Sequence, residues 1–327
     1  MKIMVLGGGD SPERDVSLVS ASKIARALIK KGHCVCLMDL LYGVEDADSV
    51  VFTSNEADIK DFEIDPEALT AIQDGMPKIG KNIVEACKKS DITFIGLHGD
   101  IGENGKVQAL LEINGIKHTG SDYSACLLTM NKNISKIIAS SYKIKTPKWV
   151  TNGNYNEIGF PCVVKPANGG SSIGVSIVNS PEELRKAVEL SRRYDCEVMI
   201  EQLIRGREFS VGVLDGKALP VIEIAPKSGF YDYKNKYVAG MTVETCPADI
   251  DRELSLKMQE LAVAVHNIFG MHCYSRTDII VDESGEIYFI EVNALPGMTP
   301  TSLIPQEAGA AGISYEELCE KIALNAR

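Results

Sequence analysis

Two apolar runs near the C-terminal end of the chain predict a β-hairpin. The runs Ile279 to Val281 and Ile287 to Ile290 are rich in β-branched and aromatic residues. The polar segment Asp282 to Gly285 between them is typical of a turn, with a glycine where a positive φ would fall. We therefore expect two antiparallel strands whose turn is centred between Ser284 and Gly285.

This register places four polar residues together. Asp278 lies opposite Glu291, and Arg276 lies opposite Asn293. Because side chains alternate along a strand, all four would share one face of the hairpin. The simpler interpretation of each residue by itself is a solvated outer face of a two-stranded edge, but the set of four favours a site.

The chemistry of this set points to a metal and a phosphate. Two carboxylates and a carboxamide are hard oxygen donors of the kind that Mg²⁺ takes, with water and phosphate completing its shell. Arg276 beside the metal could neutralise charge that develops on a transferring phosphate or on a carbonyl oxygen. The sequence thus favours nucleotide-dependent phosphoryl transfer.

The N-terminal pattern predicts a βαβ unit and hence a parallel sheet. A buried strand at Ile3 to Leu6 ends in three glycines, a helix covers Asp15 to Lys31, and a second strand covers His33 to Leu40. A nicotinamide-binding domain is one alternative, but Pro12 stands at the third glycine position of that motif. Asp39 also lies too far along the chain for the acidic position of the motif.

The next part of the chain is less regular. Residues 41–80 are turn-rich and weakly periodic, and we predict no element order there. Asp91 to Leu97 is a buried strand that runs into a polar, glycine-containing loop beginning at His98, which is where ligand loops lie in parallel sheets. His98 by itself is equally explained as a structural histidine. A helix at Lys106 to Ile113 completes an N-terminal domain near Gly120.

The pattern in the middle of the chain predicts a helix followed by two strands. We predict a helix over Ser121 to Tyr142, with Lys132 and Lys136 one turn apart on one face that would ordinarily be solvated. Strands are predicted at Thr146 to Val150 and at Cys162 to Lys165.

A glycine-rich loop, Lys165 to Gly174, follows these strands. It is not a Walker sequence, because the lysine precedes the glycines. Its backbone N–H groups and two hydroxyls could still cover phosphates, although a plain hairpin turn is the alternative. Further elements are then predicted: a helix at Pro181 to Tyr194, strands at Val198 to Leu203 and Pro220 to Ala225, a tyrosine-rich loop at 229–240 that could close on a ligand, and a helix at Asp251 to Phe269.

Composition narrows the class of protein. The chain has 327 residues and a net charge of −11, which gives no reason to expect nucleic acid or an anionic membrane as a partner. Anionic ligands would have to be held by local cations. The nine cysteines form no CxxC pair and are typical of reduced thiols, and no apolar run approaches membrane-spanning length. We therefore expect a cytoplasmic protein.

Five motifs, taken in order, resemble a known family. They are GGGDSPERDVSL, LHGDIGENG, KPANGGSSIGVS, FYDYKNKY and SRTD…EVNALPGMTPTSL. With these motifs the chain resembles the ATP-grasp superfamily and, within it, the D-alanine:D-alanine ligases, over essentially its whole length. Asn104 and Asn131 stand where that family commonly has Asp, and residues 41–80 match it least.

The resemblance implies an α/β protein with α+β lobes, that is, an ATP-grasp fold with a Rossmann-like N-terminal domain. The implied domains are residues 1–120 for substrate, 121–203 for the central lobe, and 204–327 for the C-terminal lobe with the metal site. The implied reaction uses ATP and two Mg²⁺ (or Mn²⁺) ions to join two D-alanines through an acyl phosphate, for peptidoglycan synthesis.

The resemblance also assigns roles to residues. For ATP it implies Lys132, Lys165, Ser172 and Lys236 at the phosphates, Glu201, Leu203, Ile204 and Phe230 at the adenine, and Glu208 at the ribose. Asp278, Glu291 and Asn293 would hold the metal ions, while Arg276 and the N–H of Gly297 would form an oxyanion hole. For the amino acids it implies Glu13 at the first ammonium, linked to Ser171 and Tyr237, with His98 nearby and Ser302 and Leu303 at the second carboxylate.

Three alternatives remain open beside the D-alanine ligase. The same chemistry could use D-serine or another amino acid as second substrate, since Tyr237 in the tyrosine-rich loop, by the resemblance, favours an amine over a hydroxyl. A non-catalytic nucleotide-binding regulator and a Rossmann dehydrogenase are the others. The resemblance also implies a homodimer formed through the N-terminal domain.

Overall fold

The structure is a computed structural model of the chain, and it describes residues 1–63, 78–151, 157–227 and 241–327. In this part of the chain the strands form three sheets, of three, four and six strands. No helix in the same ranges is long and apolar enough to cross a membrane. The three sheets follow one another along the sequence, so each can be described in turn.

The N-terminal sheet is parallel, as predicted. Strands β1 (Lys2–Gly7), β2 (Cys34–Asp39) and β3 (Ile92–Ile95) lie in the order β2-β1-β3, and both neighbours of β1 pair with it in parallel. Helix α1 (Arg14–Lys30) connects β1 to β2. The predicted βαβ opening is therefore confirmed.

Short elements surround this sheet. They are two 3₁₀ turns at Ala47–Ser49 and Glu56–Asp58, and helices α2 (Ile83–Cys87), α3 (Asp100–Glu103) and α4 (Lys106–Ile113). We predicted no element order for residues 41–80. In the described part of this region up to residue 63, these two turns are the regular elements, and no α-helix or extended strand is present.

The helix predicted over residues 121–142 is in fact two helices. Helix α5 (Tyr123–Met130) and helix α6 (Lys132–Ser141) are separated by Asn131, whose backbone is extended. The Asn131 side chain accepts a hydrogen bond of 2.9 Å from the Ile134 N–H and so caps α6. Single-helix periodicity misled the prediction because an asparagine can stop one helix and start the next.

The central sheet is antiparallel. Strands β4 (Trp149–Thr151), β5 (Cys162–Pro166), β6 (Ser176–Val178) and β7 (Val198–Gln202) lie in the order β4-β7-β5-β6, and helix α7 (Pro181–Ser191) packs on β5. Strand β4 begins at Trp149, three residues after the predicted start at Thr146.

The third sheet is also antiparallel and is covered by one long helix. Its strands are β8 (Gly206–Leu214), β9 (Lys217–Ala218), β10 (Ile222–Pro226), β11 (Thr242–Thr245), β12 (Tyr274–Asp282) and β13 (Ile287–Asn293). Their order is β11-β10-β8-β12-β13, with β9 on β8. Helix α8 (Arg252–Ile268), whose N-cap is Asp251, packs against β8 and β12.

The C-terminal end of the chain returns to the N-terminal sheet. Helix α9 (Leu303–Ala310) packs against β8, and helix α10 (Tyr315–Leu324) packs against α1. Leu318 is completely buried in the apolar cluster that also contains β1 and α1. Backbone hydrogen bonds of 3.0 Å in both directions join His118 to Arg327. The N-terminal sheet and the end of the chain therefore share one core.

This packing gives a first prediction. Leu318→Ala removes a fully buried side chain from the shared core, so we expect the variant to lose about 2–5 kcal/mol of stability and to melt at lower temperature. Leu324→Ala is the matched control, because Leu324 lies on the same helix and is 62% exposed. Equal melting temperatures for the two variants would contradict the packing of α10 described above.

Candidate active site

The hairpin of β12 and β13 has the predicted register at its polar end. Arg276 pairs with Asn293 and Asp278 pairs with Glu291. Beyond Asp278 the register shifts by one residue, because Ile290 is an extra residue on β13. The predicted pairing is thus confirmed for the polar residues. Between these residues and the turn, the observed pairing differs from the predicted one by one residue.

Asp278 is the most constrained of these four residues. Arg276 donates to both of its carboxylate oxygens, from Nε at 2.9 Å and from Nη2 at 2.8 Å. The hydroxyl of Ser210 on β8 donates to Oδ1 at 2.9 Å, and Asn293 Nδ2 lies 3.3 Å from Oδ2. Three donors therefore fix one carboxylate on the polar face of the sheet.

A large cleft lies between the central sheet and the C-terminal sheet, and we call it the inter-sheet cleft. Its empty volume, which includes space open to solvent, is about 1000 Å³. Among the residues that line it are Lys132, Lys165, Ser172, Glu201, Leu203, Ile204, Glu208, Asp278 and Glu291. Every described residue that the sequence assigned to ATP binding is in this list.

Buried charges lie at one wall of the inter-sheet cleft. Glu201 on β7 accepts from Lys165 at 2.9 Å and also pairs with Lys136 of α6. All three residues are at most 5% exposed. The Lys136 ammonium also lies 5.1 Å from the centre of the Trp149 ring. The solvated face predicted for Lys136 is therefore wrong.

The protonation of these groups follows from their burial and pairing. Burial lowers the pKa of Lys136 to about 8, against the opposing effect of Glu201. Burial acts to raise the pKa of Glu201, but the ammonium groups of Lys136 and Lys165 outweigh it and hold this pKa below its usual value. Glu201 is therefore ionised, and it is shared by two lysines.

The glycine-rich loop joins the central lobe to the other two parts of the site. The Lys132 ammonium donates to the Gly169 carbonyl at 2.6 Å and lies 3.2 Å from Glu291 Oε2. Ser171 and Ser172 both have positive φ, a conformation that is costly for residues other than glycine. The Ser171 hydroxyl makes a short hydrogen bond to Glu13 of the N-terminal domain. The loop is thus anchored at both sides of the site.

A second cleft, the junction cleft, opens between the N-terminal domain and the C-terminal sheet. Its empty volume is about 920 Å³. Its lining includes Glu13, His98, Ser171, Arg276, Asn293, Gly297, Ser302 and Leu303. Apart from Asn293, which the resemblance assigns to the metal, these are residues that the resemblance assigns to the amino acids and the oxyanion hole. Glu291 lines both clefts, so the two clefts meet at the hairpin.

The far wall of the junction cleft depends on close packing at Gly297. A Cβ at Gly297 would lie 2.9 Å from the hydroxyl oxygen of Ser302, closer than real Cβ contacts allow. Ser302 is the N-cap of α9 and accepts from the Thr299 N–H at 3.1 Å. On the opposite wall, His98 is buried and its Nε2 lies 3.0 Å from the Ser20 hydroxyl, which fits the structural interpretation of this histidine.

Three of the predicted site residues are not part of this geometry. Phe230, Lys236 and Tyr237 lie outside the described residues. Within the described ranges there is no cluster of three or more His, Cys, Asp and Glu side chains that could hold a metal ion. The predicted metal ligands are two carboxylates and the carboxamide of an asparagine, so they do not form a cluster of that kind.

Comparison with known families decides the class of protein. Residues 2–121 match the family described as D-ala D-ala ligase N-terminus, and residues 133–323 match the family described as D-ala D-ala ligase C-terminus. Together the two matches cover nearly the whole chain.

The chain belongs to the D-ala D-ala ligase family.

Curated relatives and solved structures of this family agree. A D-alanine–D-alanine ligase from Pediococcus pentosaceus is 43% identical, over 99% of this chain and 97% of that protein. The ligase from Lacticaseibacillus casei is 41% identical, over 97% and 93%. The ATP complex of the Bacillus anthracis ligase has a TM-score of 0.78 at 31% identity and covers 99% of this chain and 97% of that one. The VanG D-Ala:D-Ser ligase from Enterococcus faecalis has a TM-score of 0.76 at 29% identity and covers 98% of both chains.

Membership of the D-ala D-ala ligase family settles two predictions. The ATP-grasp fold with a Rossmann-like N-terminal domain is confirmed, and the protein is an enzyme of this ligase class. The dehydrogenase and the non-catalytic regulator are therefore set aside.

One buried group in this ligase gave no signal in the sequence. Glu307 on α9 is completely buried, and its Oε2 accepts from the Gly212 N–H at 2.7 Å. Gly212 pairs with Arg276 across β8 and β12, and a Cβ at Gly212 would clash with Glu307. Burial raises the pKa of Glu307 well above its usual value, although the nearby Arg276 guanidinium acts to lower it. In the sequence Glu307 reads as an ordinary polar position of a helix.

The buried ion pairs of the ligase give a second prediction. Glu201→Gln leaves Lys136 and Lys165 buried with no anion between them, so we expect a loss of about 3–5 kcal/mol in stability. Lys136→Met is the matched variant, because it keeps the pair of Lys165 and Glu201 and should cost less. Thermal melts of both proteins check the order. A Glu201→Gln variant that melts at or above the temperature of Lys136→Met would contradict it.

Proposed function

We propose that the enzyme joins two D-alanine molecules into D-alanyl-D-alanine with hydrolysis of ATP to ADP and phosphate. The single observation that carries this proposal is that the two clefts meet at Glu291, so that a nucleotide in one and an amino-acid carboxylate in the other would face each other. In the proposed reaction the carboxylate of one D-alanine takes the γ-phosphoryl group. The amine of the second D-alanine then displaces phosphate as the peptide bond forms.

ATP is assigned to the inter-sheet cleft. Lys132, Lys165 and Ser172 would contact its phosphates, and the lysines give the local positive charge that a chain of net charge −11 needs there. Glu201, Leu203 and Ile204 would lie at the adenine, and Glu208 at the ribose. Phe230 and Lys236 belong to the same assignment, on the resemblance to the family alone.

The metal assignment is supported by the donor atoms on the polar face of the hairpin. Asp278, Glu291 and Asn293 offer hard oxygen ligands from directly paired positions, which suits Mg²⁺ or Mn²⁺. Two such ions would neutralise the phosphate charge while ATP is bound. Arg276 holds Asp278 in place through two hydrogen bonds.

The two amino acids are assigned to the junction cleft. Glu13 would bind the ammonium of the first D-alanine, with His98 nearby and with Ser171 and Tyr237 linked to it. Arg276 and the Gly297 N–H would stabilise the oxyanion of the tetrahedral intermediate. Ser302 and the backbone of Leu303, at the N-terminus of α9, would bind the carboxylate of the second D-alanine.

Further parts of the proposal concern the domains, the partners and the cellular setting. We assign residues 1–120, 121–203 and 204–327 to three domains, each of which contains one of the three sheets. All nine cysteines are free, which supports a reducing compartment such as the cytoplasm. A homodimer and a role in peptidoglycan synthesis complete the proposal.

D-Serine as second substrate is the second candidate. It is favoured by the likeness to the VanG D-Ala:D-Ser ligase of Enterococcus faecalis, which covers 98% of this chain. The two candidates share the fold, the nucleotide and the first substrate, so only product analysis separates them.

The test is phosphate release from ATP and Mg²⁺, with products identified by mass. D-Alanine alone, L-alanine, and D-alanine with D-serine or with D-lactate are the substrate sets. We expect D-alanyl-D-alanine from D-alanine alone and no turnover with L-alanine. Turnover only with D-alanine and D-serine together would replace the first candidate with the second.

A variant at the junction of the clefts tests the assignment of Glu291. Glu291→Gln should lower turnover about 100-fold or more, because it removes a charged oxygen donor facing the phosphates, while the melting temperature stays close to that of the wild type. Glu286→Gln is the control, since this residue lies at the exposed turn of the same hairpin and pairs with Lys145 at 2.6 Å. Full turnover in a Glu291→Gln enzyme would remove Glu291 from the site.

A further inference from the structure

The junction cleft contains one carboxylate for which no role has been assigned. Apart from Glu291, the acidic residues that line it are Glu13, Glu103 and Glu244. Glu103 faces His98, with 3.6 Å between Oε1 and Nδ1. Glu13 is assigned to the first amino acid. Glu244 therefore remains to be explained, and it lies on β11, at the opposite edge of the site from Glu13.

The strand pairing directs Glu244 towards helix α9. Strand β11 is antiparallel to β10, and Glu244 pairs with Ile224. Paired residues share one face of a sheet, and Ile224 is buried on that face against Leu303, the first residue of α9. Glu244 thus points from the edge strand to the start of the helix.

Gln306 holds the Glu244 carboxylate in this place. Its amide nitrogen makes a short hydrogen bond to Glu244 Oε2 and donates to the Thr301 carbonyl at 2.8 Å. Thr301 directly precedes Ser302, the N-cap of α9. The carboxylate is therefore tied to the same turn that offers the N-terminus of α9 to the cleft.

An α-amino acid that binds there brings two charges. Its carboxylate suits the N-terminus of α9, where backbone N–H groups favour an anion. Its ammonium is only one carbon away, so the ammonium needs an anion close to that helix end. Glu244 is the carboxylate held there, whereas Glu13 lies on the N-terminal wall at the start of α1.

We propose that Glu244 binds the α-ammonium of the second amino acid in the initial complex, before this group releases a proton to solvent and attacks as the free amine. Glu244 would thereby select an amino acid, in preference to a 2-hydroxy acid, as the second substrate. A 2-hydroxy acid has a neutral hydroxyl where the amino acid has a cation, so it loses the charge-assisted hydrogen bond to Glu244. This inference rests on the proposed function and adds a residue for selecting the second substrate.

The test compares variants of the full enzyme at saturating ATP. Glu244→Gln keeps the shape of the side chain and removes its charge. We expect the KM for the second D-alanine to rise about tenfold or more, and the KM for ATP to stay within about twofold of the wild type. In competition between D-alanine and D-lactate as second substrate, the ratio of D-alanyl-D-alanine to D-alanyl-D-lactate should fall by a similar factor.

Three further variants separate binding from a structural role. Glu244→Asp keeps the charge and should keep most of the selectivity for D-alanine. Gln306→Ala removes the amide that holds the carboxylate and should raise the same KM by a smaller factor. Glu283→Gln removes one negative charge from the exposed hairpin turn and should change neither quantity.

The outcomes distinguish this inference from the function on which it rests. A wild-type enzyme that makes no D-alanyl-D-alanine would overturn the proposed function and the inference with it. A wild-type enzyme that makes the dipeptide, with a Glu244→Gln variant unchanged in the KM for the second D-alanine and in product ratio, would overturn the inference alone. So would equal changes in the KM for ATP and for the second D-alanine, since those would indicate a structural role.

Discussion

The carboxylate of Asp278 is the group on which the candidate site depends. It receives hydrogen bonds from Arg276 on its own strand and from Ser210 on β8, and Asn293 on β13 lies within 3.3 Å of it. Three adjacent strands are thereby fixed relative to one another at the point where the two clefts meet. A one-residue slip of β13 at this end would move Glu291 and Asn293 to the opposite face, so the register is itself a requirement of the site.

Charge is arranged locally against the charge of the whole protein. The chain carries a net charge of −11, yet Lys132 and Lys165 line the inter-sheet cleft, and the buried Lys136 pairs with Glu201 of the same wall. Glu201 pairs with the two buried ammonium groups of Lys136 and Lys165, and these three residues together keep an excess of one positive charge. The junction cleft is lined by the carboxylates of Glu13 and Glu244 and by the guanidinium of Arg276.

The packing of the chain ends explains how these groups keep their positions. Helix α10 shares a core with β1 and α1, so the wall that carries Glu13 and the wall that carries Ser302 belong to one packed unit. The central sheet adds the glycine-rich loop through Ser171 and Glu13. The loop carries two residues other than glycine in the left-handed conformation, and contacts at both of its ends hold that conformation in place.

The sequence by itself determined the features that depend on local pattern. Alternation and the turn residues predicted the hairpin and the pairing of Asp278 with Glu291, and the glycine breaks predicted the parallel βαβ opening, because both follow from the geometry of neighbouring residues. Motif order identified the family. Tertiary structure alone decided the bulge at Ile290, the helix break at Asn131, the burial of Lys136 between Glu201 and Trp149, and the burial of Glu307 behind Gly212. Apart from the helix break, which a local asparagine cap accompanies, these features depend on contacts between residues far apart in the chain, and those contacts set the solvation of each side chain.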